Sequence, residues 1–281
     1  MYIFTIDFED WFERKQNAEL KPLPLSRLKF GSDEMLAIVE KAGVKPTFFI
    51  LGCTAERNPS LIAEIADKYD IGIHGYEHSN CNDISVEVFE KDLRKVKRLL
   101  KDITGKDVNK YRSPSFSLAN RSFLKVLVDN GIEVDCSLAS INHQYGSKVL
   151  SSNSPCRILV DGAEIKEFPP TTIGFGNFKF GFLGGGYFRM LPYSITRKLT
   201  SQNKEYASAY IHPCDLDKKL PWDYAETIQL EERTFFAKLK AQVGLKTSAR
   251  KLERWLSDFD FVDVETAARE TNWEKMPLVE L

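Results

Sequence analysis

The sequence predicts an α/β fold with a parallel sheet, either open or closed into a barrel. Three observations lead there. Short apolar runs alternate with longer amphipathic segments through the first two-thirds of the chain. Glycine, or an Asn-Pro pair, punctuates the junctions between them. Four polar residues, Asp7, His74, Arg112 and Asp135, each stand at the end of a strand-like run, where α/β proteins place their sites.

The elements follow in order. Tyr2 to Ile6 is apolar throughout, as a strand covered on both faces requires, and leads into acids. A helical pattern runs from Ser26 to Ala42 and stops at Gly43, a residue that readily takes a left-handed cap. Thr47 to Leu51 reads as strand, and Asn58-Pro59 opens a helix as cap and first residue. Ile71 to His74 is the next strand, Ser85 to Thr104 a long helix, and Val108 to Arg112 a short strand. Arg121 to Asn130 is helical and Ile132 to Asp135 extended. Arg157 to Val160 and Glu164 to Phe168, joined by Asp161-Gly162, form a hairpin with a type I′ turn. Phe175 to Gly186 is rich in Gly and Phe and reads as a loop over the site. Tyr210-Ile211-His212 is a further strand ending in histidine. Helices over 226–242 and 248–257 and a strand over 259–262 close the chain.

With 281 residues and 43% hydrophobic content, the chain can bury one substantial core. One domain over 1–281 is expected, with a loop and hairpin insertion around 157–193. A formal charge of -1 without a Lys/Arg block gives no reason to expect nucleic acid. The longest apolar runs, such as Pro46 to Leu51, are too short to span a bilayer. The N-terminal residues lack the pattern of a signal peptide. Five cysteines without paired spacing fit reduced thiols, so a cytoplasmic protein is expected.

Asp7-Phe8-Glu9-Asp10 crowds three acids at a buried strand end, which is costly unless a positive group balances them. His74-Gly75-Tyr76-Glu77-His78 offers two imidazoles four positions apart. In a strand such residues stand roughly 13 Å apart, too far to share an ion. In a turn they approach to about 6 Å, which suits one. Gly75 permits that turn directly after His74.

Read together, five segments in order resemble the NodB-type polysaccharide deacetylases, carbohydrate esterase family four. Thr5 to Asp10 looks like the first motif and His74 to His78 like the metal-binding second. Tyr111-Arg112-Ser113-Pro114-Ser115-Phe116 is similar to the third, Asp135-Cys136-Ser137 to the fourth, and Tyr210-Ile211-His212-Pro213 to the fifth. Gly184 to Tyr193 resembles the branch found with exopolysaccharide and surface-glycan genes. Each motif alone is weak, but five in order over nearly the whole chain are specific. The resemblance implies a distorted (β/α) barrel of about seven strands.

It also implies roles. A divalent metal ion, zinc for preference, would sit on His74, His78 and an acid of the first motif. That acid is Glu9 if the strand continues, since Asp7 and Glu9 share one face, and Asp10 if the chain bulges after Phe8. Asp7 would be the base, held by Arg112, and His212 the acid for the leaving amine. Asp135 would lie near His212 or the rim and help to position it. A backbone N–H near Ser115 would help to carry the oxyanion, and Ser115 replaces the tyrosine of many relatives. Phe175 to Phe180, with Phe182 and Tyr187, either lines the substrate cleft or packs as a cover. Ser115 and Tyr187 are the candidate substrate contacts. The expected activity is removal of an N-acetyl group from an amino sugar of a surface glycan or its precursor. The alternatives are a metal-independent amidohydrolase or imidase, and a non-catalytic carbohydrate-binding protein. Cys81 and Cys214 are expected to be inert buried thiols, and His143 a surface residue.

Overall fold

The computed structural model describes residues 1–13, 25–118, 120–140, 150–175, 178–219 and 242–280. His143 and all but the last residue of the helix expected over 226–242 lie outside them. The strands are β1 (Tyr2–Phe8), β2 (Thr47–Ile50), β3 (Asp70–Ile73), β4 (Lys110–Tyr111), β5 (Val134–Asp135), β6 (Cys156–Val160), β7 (Ala163–Glu167), β8 (Ile173–Phe175), β9 (Phe178–Phe180), β10 (Ala207–Ile211), β11 (Phe261–Val262) and β12 (Leu278–Glu280).

Seven of them stand in the order β10-β1-β2-β3-β4-β5-β7, every neighbouring pair parallel. The remaining seam, between β7 and β10, is bridged by the chain that follows β7. There the Thr171 N–H donates to the Ser208 carbonyl at 3.1 Å, and Tyr206 Oη donates to the Pro169 carbonyl at 2.6 Å. The result is the ring of seven that the motif order implies, distorted at one seam. The predicted hairpin is present, with Asp161 (φ 48°) and Gly162 (φ 86°) supplying the two positive φ values that its turn demands. It is not an insertion, however. Its second arm, β7, is a ring strand, and only β6 and the C-terminal β12 extend the sheet beyond it.

Strand parity sorts the side chains into two layers. Ile3 belongs to an inner cluster with Phe49, Val134, Cys136, Phe168 and Tyr206. Phe4, Ile6 and Phe8 face the larger outer core beneath the helices. Thr5 and Asp7 therefore continue the inner face of β1 upward, and polarity begins where the inner apolar cluster ends.

The helices are α1 (Leu28–Ala42), α2 (Gly52–Arg57), α3 (Pro59–Lys68), α4 (Val86–Thr104), α5 (Arg121–Asp129), α6 (Gly185–Met190), α7 (Tyr193–Gln202), α8 (Leu245–Asp258) and α9 (Val264–Glu270). α2, α6, α7 and α9 are additions to the sequence reading; α2 and α6 are each a turn or two, too short to show a 3.6-residue period. α8 seals the outer core beside β1, with Trp255 edge-on to Phe4 at 6.3 Å. Gly31 in α1 has a specific purpose. A Cβ there would stand 2.0 Å from the Pro213 carbonyl oxygen, so only glycine lets α1 lie against the turn after β10. Among the described residues no helix is long and apolar enough to cross a membrane.

Candidate active site

The carboxyl ends of β1, β3, β4 and β10 bring Asp7, Glu9, His74, His78, Arg112 and His212 into one buried cluster. Glu9 lies one residue beyond β1 and keeps the parity of Asp7, so its carboxylate points the same way. Glu9 Oε2 is 3.4 Å from His78 Nε2 and 3.7 Å from His74 Nε2, and the ligand atoms of this trio all lie within 4.8 Å of one another. Asp10 turns the other way. Its carboxylate accepts from Ser26 Oγ, from the Trp11 N–H at 2.8 Å and from the Arg27 N–H at 3.2 Å, tying β1 to α1. Of the two acids left open by the sequence, Glu9 is the one beside the histidines.

The local backbone explains how His74 and His78 meet. His74 follows β3 directly, Gly75 takes φ 80°, and His78 itself sits at φ 53°. Ser115 (φ 54°) and Phe116 (φ 53°) share this left-handed region. Three non-glycine residues held there, in the two turns beyond β3 and β4, are the kind of strain that accumulates at functional sites. The turns also touch, since a Cβ on Gly75 would lie 3.2 Å from Pro114 Cγ.

His74 Nδ1 lies 2.9 Å from the Arg112 carbonyl, an acceptor, so Nδ1 carries the proton and Nε2 keeps its lone pair toward Glu9. Burial pushes the His74 imidazole down to about 4, so it is neutral at physiological pH. Two imidazoles and a carboxylate form a donor set that suits zinc or a similar divalent ion. A tetrahedral ion with ligands at about 2 Å needs donors about 3.3 Å apart, close to the spacings seen. The residues fit the ion.

Arg112 is fully buried. Its Nη1 donates to Asp7 Oδ1 and to Thr5 Oγ1, both at 2.7 Å, and its guanidinium lies 4.3 Å from the centroid of the Phe49 ring. Burial pushes the Asp7 carboxyl up, but the charge of Arg112, with His74 and His212, outweighs it and leaves Asp7 below the ordinary carboxylate range. Asp7 Oδ2 lies 3.8 Å from His212 Nε2, and Glu9 Oε1 lies 3.7 Å from the same atom. An ionised carboxylate thus faces an imidazole, both of them buried.

Asp135, expected near His212 or the rim, pairs across the β5–β7 ladder with Glu167, both wholly buried. Burial pushes Asp135 up to about 6 and Glu167 well above the ordinary carboxylate range, so the pair holds a proton between them. Asp135 Oδ1 accepts from Ser137 Oγ at 2.5 Å, and Ser137 Oγ accepts from the Ser113 N–H at 2.7 Å. The Asp-x-Ser segment therefore braces the Arg112–Ser113 turn rather than the histidine.

The partner of His212 is Asp215, which the sequence reading missed. His212 Nδ1 lies 2.8 Å from Asp215 Oδ2, and Arg189 Nε donates to Asp215 Oδ1 at 2.8 Å. A carboxylate three residues after the histidine was the available signal. Ser115 stands half-buried in its strained turn. Tyr187 packs against Phe180 at 5.1 Å, two residues beyond Gly185, which touches His212.

Residues 28–134 match the polysaccharide deacetylase family model, and residues 136–269 match a domain of unknown function, DUF3473. Over residues 28–134 the chain is similar to the polysaccharide deacetylases. The peptidoglycan deacetylase of Helicobacter pylori is 29% identical over 109 residues, 38% of this chain and 37% of that protein. Peptidoglycan deacetylase-like protein FGM2 of Gibberella zeae is 28% identical over 134 residues, 47% of this chain and 39% of that protein. The chain thus spans about two-fifths of the length of these curated relatives.

Among solved structures, a Mycobacterium smegmatis protein assigned as a polysaccharide deacetylase superposes with a TM-score of 0.65 at 17% identity, covering 100% of this chain and 92% of that one. The Bc1960 peptidoglycan N-acetylglucosamine deacetylase gives 0.53 at 14% identity, with 94% and 86% covered. A carbohydrate esterase family four pseudoenzyme of Bacillus anthracis gives 0.50 at 14% identity, with 99% and 66% covered. These likenesses establish the deacetylase fold. That fold hosts a pseudoenzyme as well as enzymes, so any chemistry lies in the side chains this chain brings together.

Proposed function

We propose that the chain is a metal-dependent hydrolase that removes the N-acetyl group from an amino sugar of a surface glycan or its precursor. One observation carries this: a two-histidine, one-carboxylate donor set, an Arg-held carboxylate and an imidazole meet in a single buried cluster. Relatives named as peptidoglycan deacetylases support the substrate class.

Glu9, His74 and His78 would hold the ion, which when bound supplies Lewis-acid polarisation of the acyl carbonyl and makes water more acidic. Asp7, kept ionised by Arg112, takes a proton from the attacking water as the new C–O bond forms. That proton passes from Asp7 to Nε2 of His212, which lies opposite it, and from there to the amide nitrogen as the C–N bond breaks. The products are acetate and the free amino sugar. A cytoplasmic location belongs to the same proposal, supported by five cysteines that form no disulfide.

The test is elemental analysis of purified wild type and His78→Ala, paired with acetate release from N-acetylated amino-sugar oligomers and nucleotide-linked N-acetylated sugars. Near-stoichiometric divalent metal lost in the variant, with chelator-sensitive acetate release, is expected. Full activity after chelation, or no metal even on reconstitution, would overturn the metal-dependent reading.

A further inference from the structure

We propose that Asp215 and Arg189 are positioning residues for His212, so that the segment matching a domain of unknown function completes the active site. The inference rests on the deacetylase reading for its chemistry, but its geometry stands apart from it. The first family match, 28–134, contains His74, His78 and Arg112 but not His212 or the residues bonded to its Nδ1 side. His212, Asp215 and Arg189 all fall within 136–269.

The three form a chain of directed hydrogen bonds. Asp215 Oδ2 accepts from the His212 backbone N–H at 2.9 Å and faces His212 Nδ1 at 2.8 Å. A carboxylate only accepts, so Nδ1 must carry the hydrogen, and Nε2 is the atom turned to Asp7 and Glu9. Asp215 Oδ1 accepts from Arg189 Nε, while Arg189 Nη1 donates to the Val243 carbonyl at 2.8 Å. All three side chains are nearly inaccessible, at 6% for His212, 2% for Asp215 and 8% for Arg189. The guanidinium balances a carboxylate that would otherwise be costly to bury, and anchors it to the chain just before α8.

The glycine run before Arg189 has its reason here. A Cβ on Gly185 would meet Asp215 Oδ2 at 2.1 Å and His212 Nδ1 at 2.9 Å, so α6 can close over the pair only with glycine at that position. A turn cap alone would need the bond to the His212 N–H. The second contact to Nδ1 and the Arg189 bond are additional to such a cap.

Asp215→Asn removes the charge at constant size, and Arg189→Lys keeps the charge but loses the directed fork. Two readouts apply to purified protein: steady-state deacetylation of an N-acetylated amino-sugar oligomer, and histidine side-chain 15N spectra recorded without substrate. In wild type His212 is expected as the Nδ1–H tautomer. In Asp215→Asn that signal shifts toward a mixture, kcat falls on the order of a hundredfold with KM within about threefold, and metal content is unchanged. Arg189→Lys is expected to lower kcat about tenfold and guards against a misfolded Asp215 variant. An unchanged His212 spectrum, or kcat within twofold of wild type in both variants, would overturn the proposal and leave Asp215 a turn cap. A shifted spectrum with no deacetylation even in wild type would uphold the positioning and overturn the deacetylase reading instead.

Discussion

Arg112 and Asp7 illustrate how little tolerance a buried ion pair has. Removing one partner leaves the other charge stranded, so Arg112→Ala is expected to cost about 3–5 kcal/mol, read by urea unfolding. The Asp7 carboxyl stands below its unfolded value, so the folded state holds that proton more weakly. Its contribution to stability is present above the ordinary carboxylate range and is lost as pH falls through the lowered folded value. The Asp135–Glu167 pair behaves with the opposite sign. Burial raises both, so the folded state binds the shared proton more tightly than the unfolded chain does. The pair is least costly at acid pH, and wild type should lose stability as pH climbs from the ordinary carboxylate range past about 6. Glu167→Gln mimics the protonated partner and is expected to flatten that decline, whereas Glu167→Ala should destabilise at every pH. Unfolding midpoints at pH 5 and pH 8 would check both.

At the level of elements, the site is made by turns held close to their neighbours. Gly185→Ala drives a methyl into the His212–Asp215 pair and should lower kcat while leaving the metal site loaded. Gly31→Ala pushes α1 off the turn that follows His212, and about 1–3 kcal/mol of destabilisation is expected by thermal or urea unfolding. The long helices and β1 were legible in the sequence because their caps and periods are local. Ser85 accepts from the Val88 N–H at 3.3 Å at the start of α4, and Gly105 ends that helix at φ 71°. β4 and β5 came out shorter than expected, at two residues each, because ladder pairing depends on the neighbouring strand and not on apolar character alone.

Taken whole, the molecule is a ring of strands, and the inner face of β1 turns from apolar at Ile3 to charged at Asp7 toward its carboxyl end. A divalent ion seated there binds only the folded state, so at a hundredfold excess over its dissociation constant it should add about 2.7 kcal/mol. The matching measurement is the midpoint of thermal unfolding before and after chelation, with Glu9→Gln expected to abolish the difference. The sequence by itself determined the alternating architecture, the strand ends that carry the site, and the motif order that resembles the polysaccharide deacetylases. Those signals are local: parity along β1, the glycine after His74, the turn pair Asp161-Gly162. Only the tertiary structure decided that Glu9 and not Asp10 faces the histidines, that β7 is a ring strand, and that Asp215 with Arg189 holds His212 while Asp135 braces Arg112. Each of those choices depends on which strand ends converge, and Arg112 lies 105 residues from its partner Asp7, so side-chain direction there is set by the closure of the ring.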